Sequence, residues 1–167
     1  MNNKITFGGN PLTLVGKGIE VGTKAPNFTA LKTDLSPFNL EELKGEVVII
    51  SVMPSVDTPV CELQTIRFNK EASEEGAINV VTISADLPFA LGKFCASKGI
   101  ETAVTLSDHK DLDFGTKYGF ILEELRLLSR GILVIDKDGI IQHVEYVQEI
   151  TNHPDYDKAL KIAKELV

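Results

Sequence analysis

Apolar positions recur in two rhythms along the chain, and the breaks between them fall at glycine and proline. Residues 3–15 alternate loosely around Gly8-Gly9-Asn10-Pro11. This predicts a β-hairpin, with Ile5 and Phe7 on one arm and Leu12 and Leu14 on the other. After a loop over residues 22–26, short strands are expected at 28–31 and 37–40, and residues 41–45 read as one helical turn closed by Gly45. Val47-Val48-Ile49-Ile50-Ser51-Val52 is nearly continuous and β-branched, the mark of a central strand buried on both faces. Pro54 ends it, and Pro59 stands where a first helical turn tolerates proline. A helix is expected from there to about Glu75, stopped by Gly76.

Further strands are expected at 79–83, 104–106, 131–136 and 140–147, the last two joined by the turn Lys137-Asp138-Gly139. Helices are expected at 88–97, closed by Gly99, and at 111–118. Near Pro154 the rhythm changes to steps of three and four through Tyr156, Ala159, Leu160, Ala163 and Leu166, which predicts an amphipathic final helix. Strands and helices alternate, and a β-hairpin and a helix close the chain. The expected fold is α/β, a central mixed sheet flanked by helices in a thioredoxin-like order, with an N-terminal β-hairpin. No repeat or linker interrupts it, so residues 1–167 are expected to form one domain.

Composition narrows the function classes. An apolar fraction of 43% over 167 residues sustains a core without a metal or disulfide staple. With 24 acidic and 17 basic residues the net charge is −7, which argues against nucleic acid or an anionic membrane as partner. No apolar run is long enough to span a bilayer, and the first ten residues lack the apolar stretch of a signal peptide. A cytoplasmic location is therefore expected. Two cysteines, Cys61 and Cys95, are too few for a disulfide scaffold.

The placement of Cys61 carries the chemistry. It follows a core strand and falls in the first turn of a helix, where unpaired amides and the helix dipole favour a thiolate. Thr58, three residues earlier, is positioned to reach the sulfur or to cap the helix. Pro54 and Pro59 stiffen the loop. A thiolate attacking a hydroperoxide needs donors and a cation for the charge on the departing oxygen. Arg130 is a candidate cation, although spacing alone does not bring it to Cys61. Cys95, on the helix at 88–97, reads either as a packed small hydrophobe or as a second reactive thiol.

Other readings are weaker. His109, His143 and His153 are scattered without metal-ligand spacing and are expected on the surface. Asp111 and Asp113 look like helix-start charges. Ser51 and Ser55 lack a hydrolase elbow. A thiol–disulfide oxidoreductase calls for a C-x-x-C at the helix start, and Pro59-Val60-Cys61-Glu62 holds one cysteine. A non-catalytic role on the same scaffold predicts no reactive thiolate at Cys61.

Pro54, Thr58 and Cys61 within Ser55-Val56-Asp57-Thr58-Pro59-Val60-Cys61 match the P-x-x-x-T-x-x-C core of the peroxiredoxins. Together with Ser84-Ala85-Asp86-Leu87-Pro88-Phe89-Ala90 and Phe94-Cys95, the chain resembles the thiol-peroxidase branch of that family nearly end to end. The resemblance implies Cys61 as peroxidatic and Cys95 as resolving cysteine of an atypical two-cysteine enzyme, linked by a transient intrachain disulfide. It implies that Arg130 holds the thiolate and peroxide, with Pro54 and Thr58 completing the pocket. It further implies hydrogen peroxide and organic hydroperoxides as substrates, thioredoxin as reductant, a homodimer, and no cofactor. Met53 and Gly131 are the positions expected to shape the pocket.

Overall fold

The computed structural model describes residues 4–99 and 104–167. Residues 1–3, where the expected hairpin begins, lie outside the described residues. The hairpin itself is present as β1 (Lys4–Phe7) and β2 (Asn10–Thr13), joined at Gly8-Gly9, both at positive φ. The short strands β3 (Thr29–Leu31) and β4 (Pro37–Asn39) follow, then a 3-10 turn at Leu40–Leu43. The core alternation is β5 (Val47–Val52), α1 (Pro59–Glu75), β6 (Ile78–Ser84), α2 (Pro88–Lys98) and β7 (Val104–Ser107). After α3 (Asp113–Tyr118) come the two-residue strands β8 (Ile121–Leu122) and β9 (Leu127–Leu128). The chain closes with β10 (Gly131–Ile135), β11 (Ile141–Tyr146) and α4 (Tyr156–Glu165).

Seven strands form one mixed sheet in the order β11-β10-β5-β6-β7-β3-β4. β5, β6 and β7 are parallel, whereas β10 runs antiparallel to β5. All six residues of β5 are buried, as its unbroken apolar run predicts. Strand alternation sends Val47 and Ile49 to one face with Phe68 of α1 and Tyr156, Ala159, Leu160 and Ala163 of α4. Val48, Ile50 and Val52 meet the other face, with Phe28, Phe114, Tyr118 and Phe120. Each fully buried Val or Ile contributes about 1.5–3 kcal/mol of transfer free energy, so this strand is a rigid base for the loop that follows it.

Two local expectations are refined, and one element is new. The connection before Arg130, where the sequence predicts no element, is structured. It forms the β8–β9 ladder, which the sequence hides because a two-residue strand shows no period. Asp113 stands in the first turn of α3 as expected and Asp111 just before it, but the carboxylate that accepts from the helix amides is Asp108, bound to Phe114 N (3.0 Å) and Gly115 N (2.8 Å). Burial pushes this carboxyl up to about 6, against the pull of those two amides. His143 is buried rather than on the surface. It pairs across the sheet with Val134, whose face is covered by α4, and desolvation holds its imidazole below the ordinary range, followed in effect by Lys158.

Candidate active site

The segment 53–61 is built at the carboxyl end of β5. Met53 N still donates to Ile83 O of the neighbouring strand at 3.2 Å, and Pro54 is buried immediately after it. The helix then starts as proline at its first position requires. Glu62 N donates to Thr58 O at 2.9 Å, which makes Thr58 the N-cap. The Thr58 hydroxyl accepts from Cys61 N at 3.4 Å and donates to Ser55 O at 3.5 Å. Of the two uses foreseen for Thr58, this is the capping one. Cys61 is completely buried among Met53, Val56 and Leu91, with Phe94 packed beside them.

Arg130 reaches the sulfur from the position just before β10, the strand next to β5. It is 2% exposed, and each nitrogen of its guanidinium has a separate acceptor. Nη2 donates to Cys61 Sγ at 3.0 Å, Nη1 to Gln64 Oε1 at 2.8 Å, and Nε to Ile150 O at 2.7 Å. A buried charge demands such saturation, and the planar fork fixes its orientation. Gly131 makes the approach possible. A Cβ there would stand 2.3 Å from Glu145 O and 2.5 Å from the Phe120 ring, so only glycine lets β10 begin at this point. Ser129 N, donating to Phe120 O at 2.7 Å, aligns the entry to the strand.

Gln64 and the Ile150 carbonyl are the site residues that sequence reasoning missed. Gln64 lies one turn beyond Cys61 on α1 and is completely buried. Its Nε2 donates to Ser51 Oγ at 2.7 Å, which turns its carbonyl oxygen toward Arg130. The i, i+3 spacing from Cys61 is the signal that places both on one helix face. The Ile150 carbonyl is held by the N-terminal hairpin. Ile150 N donates to Thr6 O (2.9 Å) and Thr6 N donates to Gln148 O (2.8 Å). Ile5, Leu14, Leu122 and Ile150 form a small buried cluster there.

Tyr156 closes the region from α4. Burial pushes its phenol up to about 12, with Arg130 and Arg67 pulling it down and Cys61 opposing them. Cys95 occupies different surroundings. It is partly exposed on α2, and its thiol donates to Thr105 Oγ1 at 3.3 Å. Both cysteines are free thiols. The structure thus brings Pro54, Thr58, Cys61 and Arg130 into one site and leaves Cys95 on an adjoining helix. Among the described residues no group of three or more His, Cys, Asp or Glu could hold a metal. A cavity of about 390 Å³ lies elsewhere, at the opposite end of β5, lined by Lys24, Leu43, Val48 and Asp138.

Known proteins resemble this chain over nearly its whole length. Residues 20–160 match the Redoxin family. The thiol peroxidase of Halalkalibacterium halodurans is 56% identical over 160 residues, covering 96% of each chain. That of Bacillus subtilis is 52% identical over 164 residues, covering 98% of each. The crystal structure of a peroxiredoxin-like protein from Aquifex aeolicus superposes with a TM-score of 0.93 at 36% identity, over 100% of this chain and 99% of that one.

Proposed function

The chain belongs to the redoxin family, in its thiol-peroxidase branch, and is a peroxiredoxin-type peroxidase with a thioredoxin-like fold; on that premise we propose that Cys61 is the sulfur that reduces the hydroperoxide. The observation that carries this reading is the 3.0 Å contact from Arg130 Nη2 to Cys61 Sγ inside a water-excluded site. A guanidinium on the sulfur stabilises its negative charge and the charge that develops on the departing oxygen. The Cys61 thiolate attacks the terminal oxygen, the O–O bond breaks, and a proton goes to the leaving oxygen. Cys61 becomes a sulfenic acid, and water or an alcohol is released. Thr58 and Pro54 hold the turn in the reactive shape.

Resolution completes the cycle. The Cys95 thiolate attacks the Cys61 sulfenic sulfur, water leaves, and a Cys61–Cys95 disulfide remains. A dithiol reductant of the thioredoxin type returns both thiols by exchange. Hydrogen peroxide and organic hydroperoxides are the substrate class, and the apolar wall of Met53, Val56, Leu91 and Phe94 suits an alkyl group. Residues 1–167 act as one domain in a homodimer. Leu63 on α1 and Leu87 and Phe89 at the start of α2, each at least 55% exposed, supply apolar surface for that contact or for the reductant. A cytoplasmic location fits a bond that must be reduced every cycle.

Peroxide titration of the reduced protein, followed by intact mass and peptide mapping, tests the reading. Wild type should lose two hydrogens, localised to a Cys61–Cys95 link. Cys61→Ser should abolish turnover, and Cys95→Ser should allow one oxidation without thioredoxin-supported cycling. Undiminished turnover in Cys61→Ser would end the proposal.

A further inference from the structure

Asp86 stands in the turn between β6 and α2, outside the Cys61–Arg130 cluster. Its carboxylate takes three hydrogen bonds. Oδ1 accepts from Ser55 Oγ at 2.7 Å, and Oδ2 accepts from Val56 N at 2.9 Å and Ser84 Oγ at 2.8 Å. Ser55 Oγ in turn accepts from Asp57 N at 3.1 Å, and Ser55 O accepts from Thr58. The Asp86 backbone is fixed to the sheet, because Ser107 Oγ at the end of β7 donates to its carbonyl and Asp86 N donates to Ser84 Oγ at 3.2 Å. One carboxylate therefore ties the loop that caps Cys61 to the rigid ends of β6 and β7.

We propose that Asp86 is a positioning residue, a latch that holds the 54–58 loop in its peroxide-reactive shape and must release it before the disulfide can close. The inference rests on the Cys61–Cys95 cycle proposed above. A disulfide needs its sulfurs about 2.05 Å apart and its Cα atoms within about 7 Å. Here Cys61 Sγ is bound to Arg130 and Cys95 Sγ to Thr105, each inside a helix. Closing the bond takes Cys61 Sγ off the Arg130 guanidinium and Cys95 Sγ off Thr105, and the backbone that carries Cys61 is the first turn of α1. That turn is set by Thr58, Thr58 by Ser55, and Ser55 by Asp86. The helices α1 and α2 are also tied by Lys98 Nζ to Glu62 Oε1 at 2.6 Å, with both side chains more than a third exposed. An exposed ion pair contributes little, so the carboxylate with three donors is the stronger hold.

The latch sets a competition. While it is closed, a second hydroperoxide oxidises the Cys61 sulfenate to sulfinate and releases a second alcohol or water. Once it is open, Cys95 captures the sulfenic sulfur. Rapid quench with thiol alkylation and intact mass counts both products. Wild type, Asp86→Asn, Ser55→Ala and Glu62→Gln are compared across peroxide concentrations. Asp86→Asn should slow the peroxide step about tenfold and raise the disulfide-to-sulfinate ratio at least about fivefold, the scale expected for weakening hydrogen bonds to a charged group. Ser55→Ala keeps the carboxylate and removes one donor, so it should move the ratio the same way by less. Glu62→Gln should leave the ratio unchanged. A slower peroxide step with an unchanged ratio in both latch variants overturns the proposal. Absence of the disulfide from wild type overturns the cycle instead.

Discussion

Gln64 Oε1 lies 2.8 Å from Arg130 Nη1, and the same guanidinium lies 3.0 Å from Cys61 Sγ. The amide one turn along α1 thus orients the cation that serves the first turn. Replacing it by leucine keeps the helix and its bulk but leaves a buried N–H of a charged group without an acceptor. We expect Gln64→Leu to cost about 1–3 kcal/mol of stability and to slow Cys61 oxidation about tenfold through the loosened guanidinium. Urea unfolding and stopped-flow peroxide oxidation measure the two. A slower reaction at unchanged stability contradicts the buried-acceptor argument.

Arg130 itself is expected to be irreplaceable by the other long cation. Its three acceptors are a sulfur, an amide oxygen and a main-chain carbonyl, spread around one plane. A lysine ammonium is a point donor and does not span them. Arg130→Ala should reduce the second-order rate with peroxide by about 10²–10³, the range for losing one donor to developing charge. Arg130→Lys should fall closer to alanine than to wild type. An unchanged rate constant across pH 5–9 in either variant, about the range that brackets an ordinary thiol, removes Arg130 from the reaction.

The route from sequence to this site was open in some places and closed in others. β5 was legible because six consecutive apolar or small residues admit few readings, and the start of α1 because Pro59 marks it. Cys61 followed from those two. Residue chemistry makes Arg130 a candidate cation and the resemblance singles it out, since its partner is 69 positions away in the chain and periodicity carries no such contact. Gln64 was invisible because a buried glutamine on a helix looks like a solvated one until its neighbours are known. The Ile150 carbonyl is backbone and has no residue-type signal. For His143 residue type points to the surface, whereas alternation points inward, for Ile141, two positions earlier, marks that face of β11 as buried.

Glu149 makes the hairpin dock sensitive to acid. Its carboxylate accepts from Gly9 N (2.8 Å), Gly8 N (3.2 Å) and the Thr6 and Thr151 hydroxyls (2.9 and 2.7 Å). These bonds, led by Thr151, hold its pKa down to about 2. A carboxyl depressed on folding stabilises the fold above its unfolded value, near 4.5, and loses that contribution as pH falls toward 2. The protection of the Gly8 and Gly9 amides, relative to free-peptide exchange at the same pH, should hold down to about pH 4.5 and fall below it, ahead of global unfolding. In Glu149→Gln it should be low throughout. Protection that ignores both pH and the substitution would show that the carboxylate does not hold the turn.

Asp108 works in the opposite sense. It is 2% exposed, and its pKa is raised from 3.8 to about 6 with desolvation as the leading cause. Between those values the folded state binds a proton that the unfolded state has lost, so stability falls as pH rises through the window. A displacement of this size corresponds to about 3 kcal/mol, fully felt above pH 6. The fold tolerates it because the carboxylate answers two amides at the start of α3, whose Phe114 and Tyr118 fill the aromatic core under β5. Asparagine keeps an acceptor there and cannot ionise. The stability difference between wild type and Asp108→Asn should therefore shift by about 2 kcal/mol in favour of the variant between pH 4 and pH 7. Taking the difference cancels the contributions of Glu149 and His143, which both proteins share. Urea unfolding at unit steps of pH gives the two curves, and parallel curves would mean that Asp108 is already ionised at pH 4.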